Sequence, residues 1–309
     1  MNIKKAVLTV ILVIFALFSC YLGYFTAKIL HRPMFDTGDP GQEVEVVKKE
    51  EKKATILLMG IDNTANLTDV IMLFTIDPKN NMVNVLSVPR DTRVKIGKRF
   101  CKINEAYSIG KEEQALKTVK EVTGLPINYY VVINTSAFRE VVDHLGGVKF
   151  NIPQRMYHID PVQNLRIDLK PGEQILDGNK AEQLVRYRGY AMGDLDRIKM
   201  QQQLLFALID QKLKLSNVTK IPDILDSISD DIKTNMSPLD ILNYGNVVLN
   251  IPRENIKTHT LPGEPRTIDN ISYFIPNPEK TLALIENEYI PKPPEIAEDG
   301  EEQTENSNT

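Results

Sequence analysis

Beyond residue 53 the apolar residues recur in short runs whose period switches between strand and helix. ATILLMGI (54–61), DVIMLFTI (69–76) and MVNVLSVP (82–89) are apolar and rich in β-branched residues, and turns at Asp77-Pro78 and Pro89-Arg90 bound them, which predicts three strands. The stretch 112–122 has helical spacing and stops at Gly124. YYVVIN (129–134) predicts a strand leading into a helix over 136–145, which Gly146-Gly147 ends. VKFNIP returns to strand spacing, Leu176-Asp177-Gly178 opens a helix to about residue 185, and a longer helix is predicted from Arg197 to Leu213. Helices near 221–229 and 237–249, strands near 256–262 and 271–275, and a last helix over 278–287 complete the pattern. Near-continuous apolar strands between helices require a sheet covered on both faces. The expected fold is therefore α/β, an α/β/α sandwich with a central mixed sheet. No internal repeat is present, and one domain over 54–290 is expected.

The N-terminal pattern is different. From residue 6 to 27 the chain reads AVLTVILVIFALFSCYLGYFTA, 22 residues without a charge. At about 1.5 Å per residue, a helix of that length crosses a hydrocarbon core of roughly 30 Å. This predicts a transmembrane signal anchor over 6–27, with residues 1–5 as a cytoplasmic leader and the body outside the cell. A cleaved signal peptide would be shorter and would end in an A-x-A-like site, which is missing. Lys4 and Lys5 flank one side and Lys28 and Arg32 the other, so the charge bias is slight. A five-residue leader is nonetheless the easier side to leave in the cytoplasm.

Composition narrows the class. With 25% charged and 42% hydrophobic residues in a chain of 309, a disordered, collagenous or coiled-coil protein is excluded. The two cysteines, Cys20 and Cys101, exclude a disulfide framework and a multi-cysteine metal site. Leu17-Phe18-Ser19-Cys20 also resembles a bacterial lipobox, with Cys20 as the lipidated residue, and that alternative leaves the body tethered at the same membrane face. Residues 28–53 read as a charged tether and 291–309 as a disordered acidic tail. Six acids against one lysine in that tail account for more than the whole net charge of −4, so the body is close to neutral. Nucleic acid is not an expected partner, because such binders carry a basic excess.

Candidate chemistry lies at strand ends. Asp62 follows one predicted strand and Asp69 opens the next, and strand ends of α/β folds converge on crevices. Two carboxylates there suit Mg²⁺, which takes one or two carboxylates plus water and phosphate oxygens; solvated turn residues are the competing reading. Arg90 closes the third strand, Lys102 lies in CKINEAY, Arg186 and Arg188 in VRYR, and Asp194, Asp196 and Arg197 in GDLDR, with Gln201 after them. Arg186 and Arg188 project together only if their stretch is extended, whereas Arg197 and Gln201 share one helix face. Arginine is the fork-shaped, always ionised ligand for phosphate. There is no G-x-x-x-x-G-K-[ST], G-x-G-x-x-G or G-x-S-x-G, and His31, His144, His158 and His259 lack zinc spacing.

The run MGIDNTANLTDVIMLFTIDPKNNMVNVLSVPRDTRV, then KINEAY, INYYVVIN, VVDHLGGV, LDGNKAEQLVRYR, GDLDRIKMQQQLL and LPGEPRTIDNISYFIPN, resembles the LytR–CpsA–Psr family in motif order over about residues 54–290. The resemblance implies a Mg²⁺-dependent phosphotransferase of the Gram-positive envelope. Its members take an anionic glycopolymer (teichoic acid, capsule or similar) from a polyprenyl-pyrophosphate carrier in the cytoplasmic membrane. They attach it to peptidoglycan through a phosphodiester. Family metal ligands fall on Asp62 and Asp69, and pyrophosphate-binding residues on Arg90, Arg186, Arg188 and Arg197, with Lys102 and Gln201 in support. The candidate base falls on Asp194, and the catalytic set is Arg90, Asp194 and Arg197. An isoprenoid tunnel would fall among Phe138, Leu204, Leu205 and Leu208, for which ordinary core packing is the competing reading.

One position departs from the family. An arginine usually stands two residues before the second metal-ligand acid, and here Leu67 does. Losing one charged hydrogen bond costs about 1.5–3 kcal/mol, roughly 10- to 150-fold. Arg93, Lys95 or Arg99 are the candidates to compensate. The readings that compete with a transferase are a non-catalytic envelope protein binding lipid-linked polymer and a transcriptional attenuator.

Overall fold

The computed structural model describes residues 52–62, 66–161, 165–190, 193–212 and 231–290. The predicted leader, membrane segment, lipobox cysteine, acidic tail and helix near 221–229 lie outside these, as does nearly all of the tether. Among the described residues no helix is long and apolar enough to cross a membrane.

Six strands form the central sheet: β1 (Ala54–Ile61), β2 (Thr68–Asp77), β3 (Met82–Ser87), β6 (Tyr129–Asn134), β11 (Ile232–Thr234) and β12 (Ile256–Thr260). Their order is β11-β6-β1-β2-β3-β12. β1 runs parallel to β6 and β3 to β12, while the β1–β2, β2–β3 and β6–β11 pairs are antiparallel. The sheet is mixed, as expected.

Both faces are covered. On one, Leu57, Leu73 and Leu86 pack against α1 (Ala106–Thr123) and α6 (Pro278–Glu288) through Ala115, Val119 and Ile285. On the other, Met72, Val83 and Val85 meet α4 (Asp194–Lys212) and α5 (Pro238–Asn250) through Leu205, Phe206 and Val247. A third cluster joins α2 (Thr135–His144) and α3 (Gly178–Arg186) to the strands β7 (Val148–Ile152), β8 (Met156–Asp160), β9 (Leu165–Leu169) and β10 (Gly172–Leu176).

The helices begin and end for local reasons. Asn134 caps α2 through its carboxamide oxygen, Asp177 caps α3, and Ser237 with Asp240 forms a capping box on α5. Helix α1 starts at Ala106, earlier than 112, but Gly110 and Lys111 leave helical geometry and the regular part begins after them. It stops at Gly124, which is left-handed with φ of 73°. Several further strands are short: the hairpins β4 (Arg93–Ile96)–β5 (Arg99–Lys102), β8–β9 and β13 (Gly263–Ile268)–β14 (Ile271–Pro276), with β10 and β11. Of these only β14 was expected. Strands β4, β8 and β13 alternate little or are mostly exposed, so a hydrophobic pattern had nothing to register, whereas β9 alternates, with Ile167 and Leu169 buried and Arg166 and Asp168 exposed, and is simply short.

Helices α2 and α3 approach closely because Gly178 has no side chain. A Cβ there would stand 2.7 Å from Arg139 Cα, which is backbone and cannot move aside. Gly178→Ala is expected to destabilise by about 1–3 kcal/mol, read as a lowered urea midpoint with an unchanged m-value. An unchanged midpoint would mean that the helices can separate freely.

Candidate active site

At one end of the sheet β1, β3, β6 and β12 finish and β2 begins. The β1–β2 ladder is irregular there. Gly60 pairs with Val70 but Ile61 pairs with Thr68, so Asp69 is an extra residue in β2. This bulge turns Asp69 to the same side as Val70, which a regular strand forbids for neighbours. Both line one pocket.

Asp69 accepts a hydrogen bond from Arg90 Nη1 at 2.6 Å, and Arg188 Nη2 stands 3.5 Å away. The same Arg90 brings its Nε to 3.8 Å from Asp194 Oδ1 and 4.0 Å from Asp91. Lys102 pairs with Asp91 at 2.8 Å. Arg197, 3% exposed, is bonded to Asp194 from one helical turn later. The structure thus gathers Asp69, Arg90, Lys102, Arg188, Asp194 and Arg197 from five separate stretches of chain.

The loop carrying Arg90 is held by CKINEAY. Ile103 donates its backbone N–H to Thr92 O at 2.8 Å, Asn104 to Arg90 O at 3.2 Å, and Thr92 folds its hydroxyl back onto Pro89 O at 2.6 Å. That motif therefore supports the site as well as supplying Lys102.

Burial and charge compete here. Burial pushes the Asp194 carboxyl above the ordinary carboxylate range, against the pull of Arg197 and Arg90. Burial alone would loosen the proton on Arg90, but Asp69, Asp91 and Asp194 outweigh it and hold the guanidinium more firmly charged. Arg188 is lowered by burial and by repulsion from Arg90, so an added anion would relieve it. Arg90 Nε, Arg197 Nε and Asp194 Oδ2 are buried without a hydrogen-bond partner among the described residues. Two donors and one acceptor thus remain available. A cleft of about 330 Å³ opens on Arg90, Asp91, Arg188, Gly193, Asp194 and Arg197, at the N-terminus of α4, where the helix dipole favours anions.

Asp69 also lines a second, largely apolar pocket of about 800 Å³ of free space, part of it open to solvent. Its wall includes Phe138, Leu204, Leu205 and Leu208, the four residues considered for a tunnel, with Leu58, Met72 and Ile133. Glu182, Arg186 and Gln201 join Asp69 in its polar and charged lining. Gln201 donates to Val185 O at 3.1 Å, so it braces α3 against α4.

Two expectations change. Arg186 and Arg188 do not share an extended segment. Arg186 ends α3 and pairs with Glu182 at 2.8 Å, and the chain extends only at Tyr187, which sends Arg188 toward Asp69. Nor do Arg93 and Arg99 reach Asp69. Arg93 stacks 3.7 Å over Phe100 and Arg99 pairs with Glu105, both on the β4–β5 hairpin, where Lys95 is exposed. The second cation at Asp69 is Arg188. Glu182 and Asp91 were not anticipated. Glu182 sits between Arg186 and Arg139 (3.0 Å), and its i,i+4 spacing to Arg186 was a usable signal. Asp91 lies beside Arg90 in the chain, and nothing local says that it joins Lys102 to it.

Asp62 follows β1 and donates its backbone N–H to Leu67 O at 3.1 Å, closing the β1–β2 loop beside Asp69. Among the described residues no group of three His, Cys, Asp or Glu forms a metal cage.

Known proteins share this architecture. The crystal structure of TagV from Bacillus subtilis superposes with a TM-score of 0.67 and 30% identity, covering 79% of this chain and all of that one. A structure of TagT bound to LIIa-WTA gives a TM-score of 0.64 at 28% identity, covering 80% and 95%. In sequence, the polyisoprenyl-teichoic acid–peptidoglycan teichoic acid transferase TagV of B. subtilis is 32% identical over 247 residues, 75% of this chain but 63% of that protein's length. The corresponding TagU of Halalkalibacterium halodurans is 30% identical over 313 residues, 92% of this chain and 97% of that one. The LytR_cpsA_psr family profile matches residues 25–289, starting well before residue 54, where the resemblance was expected to begin. With that match over most of its length, and with relatives and solved structures agreeing in fold, the chain belongs to the LytR_cpsA_psr family.

Proposed function

We propose that this protein transfers an anionic glycopolymer from a polyprenyl-pyrophosphate carrier to peptidoglycan, forming a phosphodiester at the outer face of the cytoplasmic membrane, with residues 6–27 as its anchor. One observation carries the reading: an apolar pocket and a cluster of guanidinium groups share Asp69 at their junction. A lipid pyrophosphate is a long apolar chain ending in concentrated negative charge, and the two compartments match its two parts. Relatives named as polyisoprenyl-teichoic acid–peptidoglycan teichoic acid transferases support the choice of polymer and acceptor.

In this reading the pyrophosphate lies against Arg90, Arg188 and Arg197, with Arg186 lining the apolar pocket and Lys102 acting through Asp91. The site's own carboxylates hold these cations in place until substrate arrives. The donor set fits a hard cation in one form. Asp62 and Asp69 offer two carboxylates at adjoining strand ends, and the remaining ligands would be water and phosphate oxygens, as Mg²⁺ prefers. When bound, the ion supplies charge neutralisation to the pyrophosphate oxygens. With pyrophosphate on Arg90 and Arg188, Asp69 would be free to be one of the ion's ligands.

Asp194 accepts the proton of the acceptor hydroxyl. The hydroxyl oxygen forms a bond to the polymer-linked phosphorus, the bond from that phosphorus to the bridging oxygen breaks, and polyprenyl phosphate departs with the electron pair. Charge grows on the bridging oxygen, where fixed guanidinium groups lower the barrier.

The deciding experiment is turnover of the full chain with a polyprenyl-pyrophosphate-linked saccharide and peptidoglycan oligomers, with Mg²⁺ and with EDTA. Metal-dependent phosphodiester formation is expected. Tight binding without product would replace the transferase with a carrier. The apolar pocket makes its own prediction: Leu205→Trp, which fills it, is expected to raise KM at least tenfold for a long-chain carrier and little for a short one. Equal effects on both would place the lipid elsewhere.

A further inference from the structure

The opposite end of the sheet carries a second cleft. On the face that buries Leu57, Leu73 and Leu86, paired across three strands, the next level along is polar instead. Thr55 pairs with Thr75, Thr75 with Asn84 and Asn84 with Lys257, so four adjacent strands contribute one polar residue each. Thr55, Thr75 and Asn84 are no more than 4% exposed. The two threonine hydroxyls bond each other at 3.0 Å, and Asn84 Nδ2 donates to Glu288 O at 2.6 Å. Among the described residues, Asn84 Oδ1 and the hydroxyl of Tyr289, itself 3% exposed, have no hydrogen-bond partner. Buried polar atoms of this kind are costly unless something satisfies them.

Thr75, Asn84 and Tyr289 line a cleft of about 800 Å³ of free space, partly open to solvent. Its charges cancel in pairs: Lys53 with Asp77 at 3.4 Å and Lys257 with Glu288 at 2.8 Å. An anion would meet two carboxylates and the carbonyl end of α6, and a cation would meet two ammonium groups. Carbonyls there already accept from Lys53 and Asn84. What remains is a neutral ligand with many hydroxyl or amide groups.

We infer that this cleft is a glycan subsite, holding neutral sugar units remote from the reaction centre. Thr75 lies six positions along β2 from Asp69, about 20 Å along a strand, and faces the α1 and α6 side of the sheet, whereas Asp69 faces the apolar pocket on the α4 side, so the cleft is separate from the reaction centre. The identification of the glycan as donor or acceptor rests on the proposed function; the existence of the subsite does not.

The test uses the full chain in detergent with a neutral N-acetylglucosamine tetramer as probe, followed by calorimetry, and with inorganic pyrophosphate titrated separately. Saturable tetramer binding is expected, weakened at least tenfold by Asn84→Leu and severalfold by the rim variant Lys257→Met, with pyrophosphate affinity unchanged in both. Pyrophosphate binding without tetramer binding to the wild type would overturn the subsite and leave the transferase reading intact. Tetramer binding that both folded variants retain would also overturn it. Tetramer binding without pyrophosphate binding would remove the transferase reading and leave the subsite. A peptidoglycan disaccharide–peptide binding as well as the tetramer would assign the subsite to the acceptor; a neutral oligosaccharide from the polymer binding in its place would assign it to the donor.

Discussion

Arg90→Ala is expected to lower transfer by roughly 10²- to 10⁴-fold with the fold intact. Arg90 is 17% exposed, lies at the centre of three carboxylates and is held firmly charged by them. Two charge-assisted bonds to pyrophosphate, at about 1.5–3 kcal/mol each, set the size of the loss. The fold survives because each carboxylate keeps another cation: Asp69 has Arg188, Asp194 has Arg197 and Asp91 has Lys102. Arg90→Lys keeps the charge but not the fork, so it should recover only part of the rate. The measurement is kcat/KM with metal present, alongside a thermal melt. Normal turnover in a folded Arg90→Ala would mean that the site has been misplaced. Asp69→Ala should match it in rate.

Asp194→Asn is expected to cost about 10²- to 10⁴-fold in kcat, the range for a lost general base. Its pH behaviour separates this from a loss of packing. Burial raises the Asp194 carboxyl above its ordinary value of 3.8, and the base works only when deprotonated. Wild-type kcat should therefore fall, as pH drops, at a higher pH than an ordinary carboxylate would give, and the Asn variant should lose that limb. Linkage gives the matching stability result. A carboxyl whose folded pKa is raised contributes most below its unfolded pKa and loses that contribution as pH rises through the folded one. The Asn variant, which cannot ionise, should show a flatter stability curve above pH 4 or so. An acid limb that persists in Asp194→Asn would assign the base to another group.

The position of Leu67 takes on a different meaning in three dimensions. Sequence spacing pointed to cations on the following hairpin as substitutes for a missing arginine, yet Arg93 is committed to Phe100 and Arg99 to Glu105. Arg188, more than a hundred residues away, supplies the second positive group at Asp69. The same contrast holds for Arg186. The resemblance implied a shared role with Arg188, which the spacing allowed only in an extended stretch, but a helix that persists to Arg186 turns it toward Glu182, and the extended Tyr187 releases only Arg188.

Much was legible locally because the causes are local. Caps at Asn134, Asp177 and Ser237, the left-handed Gly124, and apolar runs of strand length each act within a few residues, so the strands β1–β3 and β6 and the helices α2–α6 follow from the chain as written. The family motifs likewise pointed to residues that the fold brings together, Asp69, Arg90, Lys102, Arg188, Asp194 and Arg197. Tertiary structure decided where those groups point. The bulge that turns Asp69 into the pocket depends on the register between β1 and β2, and the meeting of Arg90, Arg188 and Arg197 on the packing of α3 and α4 over the sheet. The buried polar row from Thr55 to Lys257 exists only once four strands align. Hydrophobic periodicity reports which face of an element is buried, but not which element it is buried against, and the proposed chemistry of this protein depends on that second choice.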